Sequence, residues 1–217
     1  MLARTSDSAL HLLKWPLGLC SAALVPGATL ACLELLQSMS LSGRWAGVLT
    51  GIAAYGILWL LFFRKRFTGS AFSTLEHELT HALFALMTFH WVTSIRTSWD
   101  DGGVMHFRGR GNWLIFLAPY FFPTLTVAVA VGSLFHSGEW LPHAMGATWA
   151  YHVTSTWKET HWEQPDLKEA GRVFALVFLP GANLVCMGAL LAIAMGGWSA
   201  AHVFLNSVWR VTLSLYL

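Results

Sequence analysis

The segment LEHELTH, Leu75 to His81, holds the side chains of this chain with the clearest capacity for chemistry. His77, Glu78 and His81 fit the pattern H-E-x-x-H. On a helix, residues four apart lie on one face, so the two imidazoles can bind one metal ion. Glu78 then lies beside the ion, where its carboxylate can take a proton from a metal-bound water. Zinc is the expected ion, because it suits imidazole and carboxylate and hydrolysis needs no redox change.

The motif lies in the apolar stretch GSAFSTLEHELTHALFALMTFHW. Burying polar side chains among Phe, Leu and Ala costs several kcal/mol unless they find partners, and polar groups within membrane helices usually serve a function. The alternative interpretation is a polar cluster that hydrogen-bonds neighbouring helices.

A third protein ligand is expected, because catalytic zinc usually has three. The following segment, HALFALMTFH, lacks the glycine and third histidine of the longer metzincin motif. The candidates further along the chain are His90, Asp100, Asp101, His106, His152, His161, Glu163 and Asp166. If the motif helix ends at a hairpin on one side of the membrane, two further crossings bring the stretch KETHWEQPDLKEAGR back to that membrane face. His81 lies about 15 Å below that face, within reach of a ligand that folds inward.

The composition is that of an integral membrane protein. Only 11% of the residues are charged, 55% are hydrophobic and 12 are tryptophan, whereas soluble domains carry about 25% charged residues. We expect the tryptophans to form an interfacial belt. The net charge of +2 and the absence of a basic stripe give no indication of nucleic-acid binding.

Uncharged runs predict the membrane helices. One lies between Lys14 and Glu34 and another follows Arg44, each about 19 residues long and close to the ~20 needed for one crossing. We expect the first to be a retained span rather than a cleaved signal peptide. The run GNWLIFLAPYFFPTLTVAVAVGSLF predicts a span kinked at Pro119 and Pro123.

The C-terminal half predicts three further helices. WLPHAMGATWAYHVTSTW is a more polar helix, and the run from Val173 to Trp209 would extend about 55 Å, too long for one crossing. It should break near GGWSAAH. We therefore predict an all-α polytopic membrane protein with about six membrane helices, in a single domain over residues 1–217 with its core at 67–196.

A β-hairpin is predicted directly after the motif helix, over roughly Val92 to Arg108. β-Branched and aromatic residues flank DDGG, a turn signal. Ser73 and Glu76 have capping-box spacing, so the motif helix begins either there or earlier, near Gly69. The hairpin edge could bind an unwound substrate as an added strand; the alternative is an interfacial clamp. The candidate substrate-binding positions are Ile95, Thr97, Val104 and His106.

The segment from His77 to Phe107 resembles the H-E-x-G-H helix and following hairpin of the site-2 protease family of intramembrane zinc metallopeptidases, in its compact bacterial branch. EQPDLKEAGRVFALVFLPGANL resembles that branch's second motif, in which an aspartate precedes a span. The similarity covers about residues 73–184. It implies that His77, His81 and Asp166 bind zinc and that Glu78 is the catalytic base. Thr80 replaces the usual glycine, and the family's Leu-Asp-Gly signature is absent.

Three further polar residues have two interpretations each. His152 and His161 are either groups that support or gate the site or histidines that hydrogen-bond neighbouring helices. Asn183 offers an amide either to the substrate backbone or to a neighbouring helix.

The expected function is that of a membrane zinc endopeptidase that binds one Zn²⁺ per chain and cuts membrane proteins within or near the bilayer. We expect it in a bacterial inner membrane. The positive-inside rule favours a cytoplasmic hairpin side without fixing the orientation, and no oligomeric state is predicted. A di-iron oxygenase would need several histidine clusters, and this chain has one H-x-x-x-H pair. The non-enzyme alternative is a membrane transport or scaffold protein with a degenerate site, which predicts no bound metal and indifference to changes at Glu78.

Overall fold

The structure is a computed structural model that describes residues 1–63, 66–97, 102–136 and 138–217. Asp100 and Asp101, which are candidate ligands and part of the predicted hairpin turn, lie outside the described residues. The described chain is mostly helical, with one small antiparallel sheet. Its elements are α1 (Leu2–Gln37), α2 (Gly43–Leu58), α3 (Arg66–Met87), β1 (Val92–Thr97), β2 (Gly103–Phe107), α4 (Trp113–Leu117), α5 (Thr124–Gly132), α6 (Trp140–Glu159), α7 (Pro165–Ala170) and α8 (Arg172–Tyr216). A π-helical turn, Trp59–Phe63, extends α2, and a 3₁₀ turn, Ala118–Tyr120, follows α4.

Three helices of the described chain are long and apolar enough to cross a membrane, rather than the predicted six. They are Leu2–Gln37, Gly43–Phe62 and Arg172–Tyr216, and the bent pair α4–α5 raises the number to four if it forms one span. The prediction counted the two halves of α8 separately. The rest of the difference lies in α3 and α6, which are 22 and 20 residues long. Their length suffices, but their His, Glu, Thr and Lys side chains make them more polar than a typical span.

Both predicted interruptions of the long apolar runs are confirmed. The helical segments on either side of Phe121–Pro123 are bent by 79°, at prolines that lack the N–H needed to continue a helix. α8 breaks at Gly197, whose φ of 74° and ψ of −166° lie in a region that suits glycine. The break divides α8 within the predicted segment GGWSAAH.

Two pairs of helices pack closely through glycines, α1 with α8 and α2 with α6. A Cβ atom placed on Gly181 of α8 would lie 1.9 Å from the backbone oxygen of Ser21 in α1. In the second pair, a Cβ atom on Gly146 of α6 would lie 2.2 Å from the backbone oxygen of Val48. Such small residues allow helices to approach without intervening side chains, as is common in membrane proteins.

The predicted hairpin is confirmed in its two strands, which pair antiparallel with Ile95 opposite Met105 and Thr97 opposite Gly103. α3 is continuous from Arg66, so the helix begins before Ser73 and the earlier of the two predicted starts is the better one. Glu76 accepts a hydrogen bond from the Leu125 backbone N–H, 3.3 Å away at the start of α5.

The base of the hairpin is tied to the N-terminal half of α1 by a buried polar cluster. The Asp7 carboxylate lies 3.2 Å from Nε2 of the fully buried His90 and accepts a hydrogen bond from the Asn112 amide at 2.9 Å. Asn112 also caps α4 by accepting from the Ile115 backbone N–H. The cluster therefore joins α1, the end of α3 and the start of α4.

We expect Gly181→Ala to destabilise the protein by about 1–3 kcal/mol, because its methyl group would overlap backbone atoms of α1 that cannot rotate away. Gly56→Ala is the matched control. No described residue lies within 4 Å of a Cβ atom placed there, and alanine is the better helix former by about 0.5–1 kcal/mol. Thermal unfolding in detergent micelles measures both, and equal melting temperatures for the two variants would contradict this account of the α1–α8 packing.

Candidate metal centre

Helix α3 places its two histidines one turn apart on the same face. The ring centroids of His77 and His81 lie 4.7 Å apart, and the side chains are only 13% and 7% exposed. Thr80, in place of the glycine usual in the family motif, turns away from this face. Its hydroxyl donates to the Glu76 carbonyl at 2.8 Å and lies 2.5 Å from the hydroxyl of Thr124. The departure at Thr80 therefore leaves the histidine face open.

A carboxylate from a distant part of the chain meets the two histidines. Oδ2 of Asp166 lies 3.2 Å from Nε2 of His77 and 3.3 Å from Nε2 of His81. Asp166 is in the first turn of α7, which begins at Pro165, and proline is favoured at the first position of a helix. Burial alone would raise the pKa of Asp166, but hydrogen bonds and charge from His77 and His81 hold that pKa well below its ordinary range. The two histidines therefore favour the ionised form of this side chain, which is the form that binds a metal ion.

The distances from the Asp166 carboxylate to the two imidazoles suit a zinc ion. Zinc–ligand bonds of 2.0–2.2 Å in a tetrahedron put neighbouring donors about 3.3–3.6 Å apart, close to the 3.2 and 3.3 Å measured from Asp166. In the part of the chain that the structure describes, His77, His81 and Asp166 form the one group of three such side chains with donor atoms within 4.8 Å of one another. The donor set of two imidazoles and one carboxylate is also one that zinc accepts.

The other ring nitrogen of each histidine has a partner that can only accept a hydrogen bond. The backbone oxygen of Ile115 lies 2.7 Å from Nδ1 of His81, and Oε2 of Glu159 lies 2.9 Å from Nδ1 of His77. Carbonyl and carboxylate oxygens have no proton to donate, so both Nδ1 atoms carry the proton. A metal ion would take the place of the proton that each Nε2 shares with Asp166, and the rings would then offer their Nε2 lone pairs to the ion, which is the tautomer that metal binding requires.

Sequence reasoning missed two residues of this centre, Glu159 and Tyr120. The Tyr120 hydroxyl donates to Oδ2 of Asp166 at 3.1 Å, and its ring lies edge-on to His77 with centroids 5.4 Å apart. Glu159 belongs to the charged stretch KETHWEQPDLKEAGR, whose return to the motif helix was predicted. Glu159 could therefore have been a candidate on the basis of that stretch. Tyr120 lies in an apolar run, where nothing in the sequence distinguishes it from a core tyrosine.

A cavity of about 360 Å³ opens beside the three donors. Glu78 lines it and lies against β2, where a Cβ atom placed on Gly103 would be 2.8 Å from the Glu78 Cγ. The backbone N–H of Met105 donates to the Glu78 carboxylate. The carboxylate therefore has room for a water molecule and substrate on one side and is held by β2 on the other.

The remaining candidate ligands lie elsewhere. His90 contacts Asp7, and the exposed His106 is opposite Ser94 in the hairpin. Glu163 is 69% exposed and pairs with Lys168 at 2.7 Å and Arg172 at 3.2 Å. Hydrogen bonding from Lys168, together with the positive charges, lowers the pKa of Glu163.

His152, His161 and Asn183 lie near the centre but outside it. His152 is buried in α6, with Nε2 3.4 Å from the Thr156 hydroxyl. The exposed His161 and Asn183 both line a separate cavity of about 440 Å³. The Asn183 amide donates to the backbone oxygens of Tyr120 and Leu179 at 2.9 and 3.0 Å. The bond to Tyr120 is a contact to a neighbouring helical segment, one of the two interpretations of Asn183 given above.

Of the four hairpin positions predicted to bind substrate, only Val104 lines the cavity beside the candidate metal centre. The cavity lining includes Val104, together with Gly103, Met105 and Phe107 of the same strand. Ile95 and Thr97 belong to β1, none of whose residues lines the cavity. β2 is thus the strand of the described hairpin that faces the site.

Comparison with known protein families identifies the relatives of this chain. A family model described as Peptidase M50B-like matches residues 48–162, which is more than half of the sequence. The chain belongs to this family. It is the site-2 protease family of intramembrane metallopeptidases, so the resemblance noted in the sequence is confirmed. The match spans most of α2, the motif helix, the hairpin and α6, and ends four residues before Asp166. No curated protein and no solved structure matches the chain.

Zinc binding by this M50B-like chain should depend on all three donors. We expect His81→Ala and Asp166→Ala to weaken zinc binding by more than about tenfold, because even changes to the groups that orient ligands cost 10–100-fold. Glu163→Gln is the matched control, since it removes a carboxylate three residues from Asp166 that does not contact the centre. Metal analysis of the purified proteins provides the measurement, and full zinc occupancy in Asp166→Ala would assign the third ligand to another residue.

Proposed function

We propose that this chain is a zinc-dependent endopeptidase that hydrolyses peptide bonds of membrane proteins within or near the bilayer. His77, His81 and Asp166 hold one zinc ion and Glu78 is the catalytic base. The observation that carries the proposal is the meeting of Asp166 with the histidine pair, 89 positions from His77 in sequence. The Asp166 carboxylate lies at about tetrahedral ligand spacing from both imidazoles, beside a glutamate and an open cavity.

The residues of the site have separate tasks in this mechanism. Zinc bound by the three ligands supplies Lewis acidity, which activates water for attack at neutral pH. Glu78 takes a proton from the attacking water and later gives it to the leaving amine. Hydrogen bonds at the Nδ1 atoms of His77 and His81 fix both rings in one orientation throughout.

The apolar helices and the family membership support a substrate that is itself a membrane protein. Three or four described helices are able to span a bilayer, and family members are embedded in membranes. We place the protein in a bacterial inner membrane, with the hairpin on the cytoplasmic side. Its partners are then the lipid bilayer and a transmembrane substrate.

A transmembrane substrate must unwind near the site, because helical hydrogen bonds shield its peptide bonds. The backbone groups that unwinding exposes need new partners in an apolar environment. In an antiparallel pair, alternate residues direct their N–H and C=O groups towards the partner strand and away from it. The Met105 N–H points to Glu78, so the groups of Met105 and Gly103 lie on the outer edge of β2. We propose that this edge binds the unwound substrate as an added strand, with a substrate carbonyl replacing Glu78 as the acceptor of the Met105 N–H.

Glu78→Gln should fold and bind zinc normally but lose proteolysis. Glutamine keeps the size of the side chain without a basic carboxylate, and general-base catalysis typically contributes about 10²–10⁴ in rate. Cleavage of a membrane-protein substrate in micelles or proteoliposomes, with metal content measured in parallel, tests the role. Cleavage at the wild-type rate would exclude Glu78 as the base. Absence of both zinc and proteolysis in the wild type itself would favour the non-catalytic alternative.

Proline substitutions test which edge of the hairpin presents the substrate. Met105→Pro removes an N–H on the edge that faces the cavity, and Ile95→Pro removes the corresponding N–H on the opposite edge, since the two residues are a cross-strand pair. We expect Met105→Pro to raise KM several-fold with zinc retained, and Ile95→Pro to have a much smaller effect. Equal effects of the two variants would favour an interfacial clamp, and a fall in kcat alone for Met105→Pro would assign the effect to Glu78.

A further inference from the structure

Glu159 contacts the candidate metal centre from the C-terminal end of α6. Its Oε2 atom lies 2.9 Å from Nδ1 of His77, and its side chain is 22% exposed. The cavity beside the donors includes Glu159 in its lining. His77, His81 and Asp166 each have a hydrogen-bond partner outside this group of three. Among the partners that the structure describes, Glu159 is the one carboxylate. The corresponding partner of His81 is the uncharged backbone oxygen of Ile115.

The chemistry of this contact determines what His77 can do. A carboxylate accepts the Nδ1 proton and so leaves the Nε2 lone pair free for a metal ion. Its negative charge also makes the imidazole a more basic ligand, an effect that a neutral carbonyl supplies less strongly. Because the pair is partly shielded from water, this charge acts on the ring with less screening than at an open surface.

The main chain of Glu159 makes a second link to the centre. Its backbone oxygen accepts a hydrogen bond from the Gln164 side-chain amide at 2.8 Å. Gln164 immediately precedes α7 and lies two residues before Asp166. Glu159 therefore contacts His77 of α3 through its side chain. Through its backbone oxygen it also holds the start of α7, the helix that carries Asp166.

We propose that Glu159 is the positioning residue of the metal centre. It fixes the tautomer and orientation of His77 and sets the distance between α3 and α7. The inference rests on the proposed function, because it assumes that His77, His81 and Asp166 bind zinc. The inference adds that the centre needs a carboxylate that is not itself a ligand. This carboxylate belongs to a residue outside both the H-E-x-x-H motif and the segment EQPDLKEAGRVFALVFLPGANL that contains Asp166.

Two substitutions separate the charge of Glu159 from its hydrogen bond. Glu159→Ala removes both, and we expect its zinc affinity to fall by about 10–100-fold. Glu159→Gln retains an oxygen that can accept the Nδ1 proton but carries no charge, so we expect a smaller loss. Glu163→Gln, in the same acidic stretch but paired with Lys168 and Arg172, should bind zinc as the wild type does.

The experiment measures the zinc dissociation constant of each full-length variant in micelles by competition with a chelator. The visible spectrum of the Co²⁺-substituted protein reports ligand geometry independently of proteolysis. We expect the affinity order wild type, Glu159→Gln, Glu159→Ala, with a changed Co²⁺ spectrum in the alanine variant. Melting temperatures measured in EDTA check that the metal-free variants are folded, and the glutamine variant decides the question if the alanine variant is not.

Three outcomes distinguish the inference from the function on which it rests. Affinity within twofold of wild type for both Glu159 variants overturns the positioning role and leaves the zinc site intact. Equal losses in Glu163→Gln also overturn it, because the effect would then belong to the charge of the whole segment. Failure of the wild type itself to bind zinc, with His77→Ala indistinguishable from it, overturns the proposed function.

Discussion

The contact between the Asp166 carboxylate and the two histidines of α3 is the interaction on which the candidate site depends. A histidine pair one helical turn apart is a local feature, and it offers two ligands wherever the helix lies. The third donor must come from another element and arrive within a few tenths of an ångström of the required spacing. α7 achieves this by beginning at Pro165, so that Asp166 lies in its first turn and faces Nε2 of both rings.

Each of the three donors is fixed by a group from a different part of the fold. Ile115 of α4 accepts from His81, Glu159 of α6 contacts His77, and Tyr120, after α4, donates to Asp166. These contacts compensate the polar groups that α3 carries into an apolar interior, where unpaired groups would be costly. The cost of burying the motif is therefore offset by the same hydrogen bonds that orient the ligands.

The rest of the fold holds these elements at the right distances. Glycines let α1 approach α8 and α2 approach α6 at backbone contact, and the cluster of Asp7, His90 and Asn112 joins α1 to both ends of the hairpin region. The hairpin in turn places β2 against Glu78. A site made of residues from α3, α6 and α7 thus rests on helix packing some distance away from the chemistry.

The sequence by itself determined the features that depend on local pattern. H-E-x-x-H spacing identified the histidine pair and the adjacent glutamate, the segment around DDGG predicted two strands, and Pro119, Pro123 and the glycines near Gly197 predicted where apolar runs bend or break. Each of these follows from helix periodicity, strand composition or backbone freedom within a few residues. Counting the membrane crossings also predicted that the charged stretch KETHWEQPDLKEAGR returns to the motif helix. Eight candidates for the third ligand remained, however, until the family resemblance singled out Asp166.

Only the tertiary structure decided which polar residues meet. Asp166 lies at the histidines whereas Glu163, three positions earlier, is exposed and paired with Lys168 and Arg172, a difference set by the start of α7 rather than by residue type. Glu159 and Tyr120 were missed for the same reason, because their partners are 82 and 46 positions away in sequence. Three or four of the described helices, rather than six, are long and apolar enough to cross a membrane, because the polar side chains of α3 and α6 make these two helices less apolar than a typical span. Long-range contacts of this kind depend on how helices pack, and no local pattern encodes the packing.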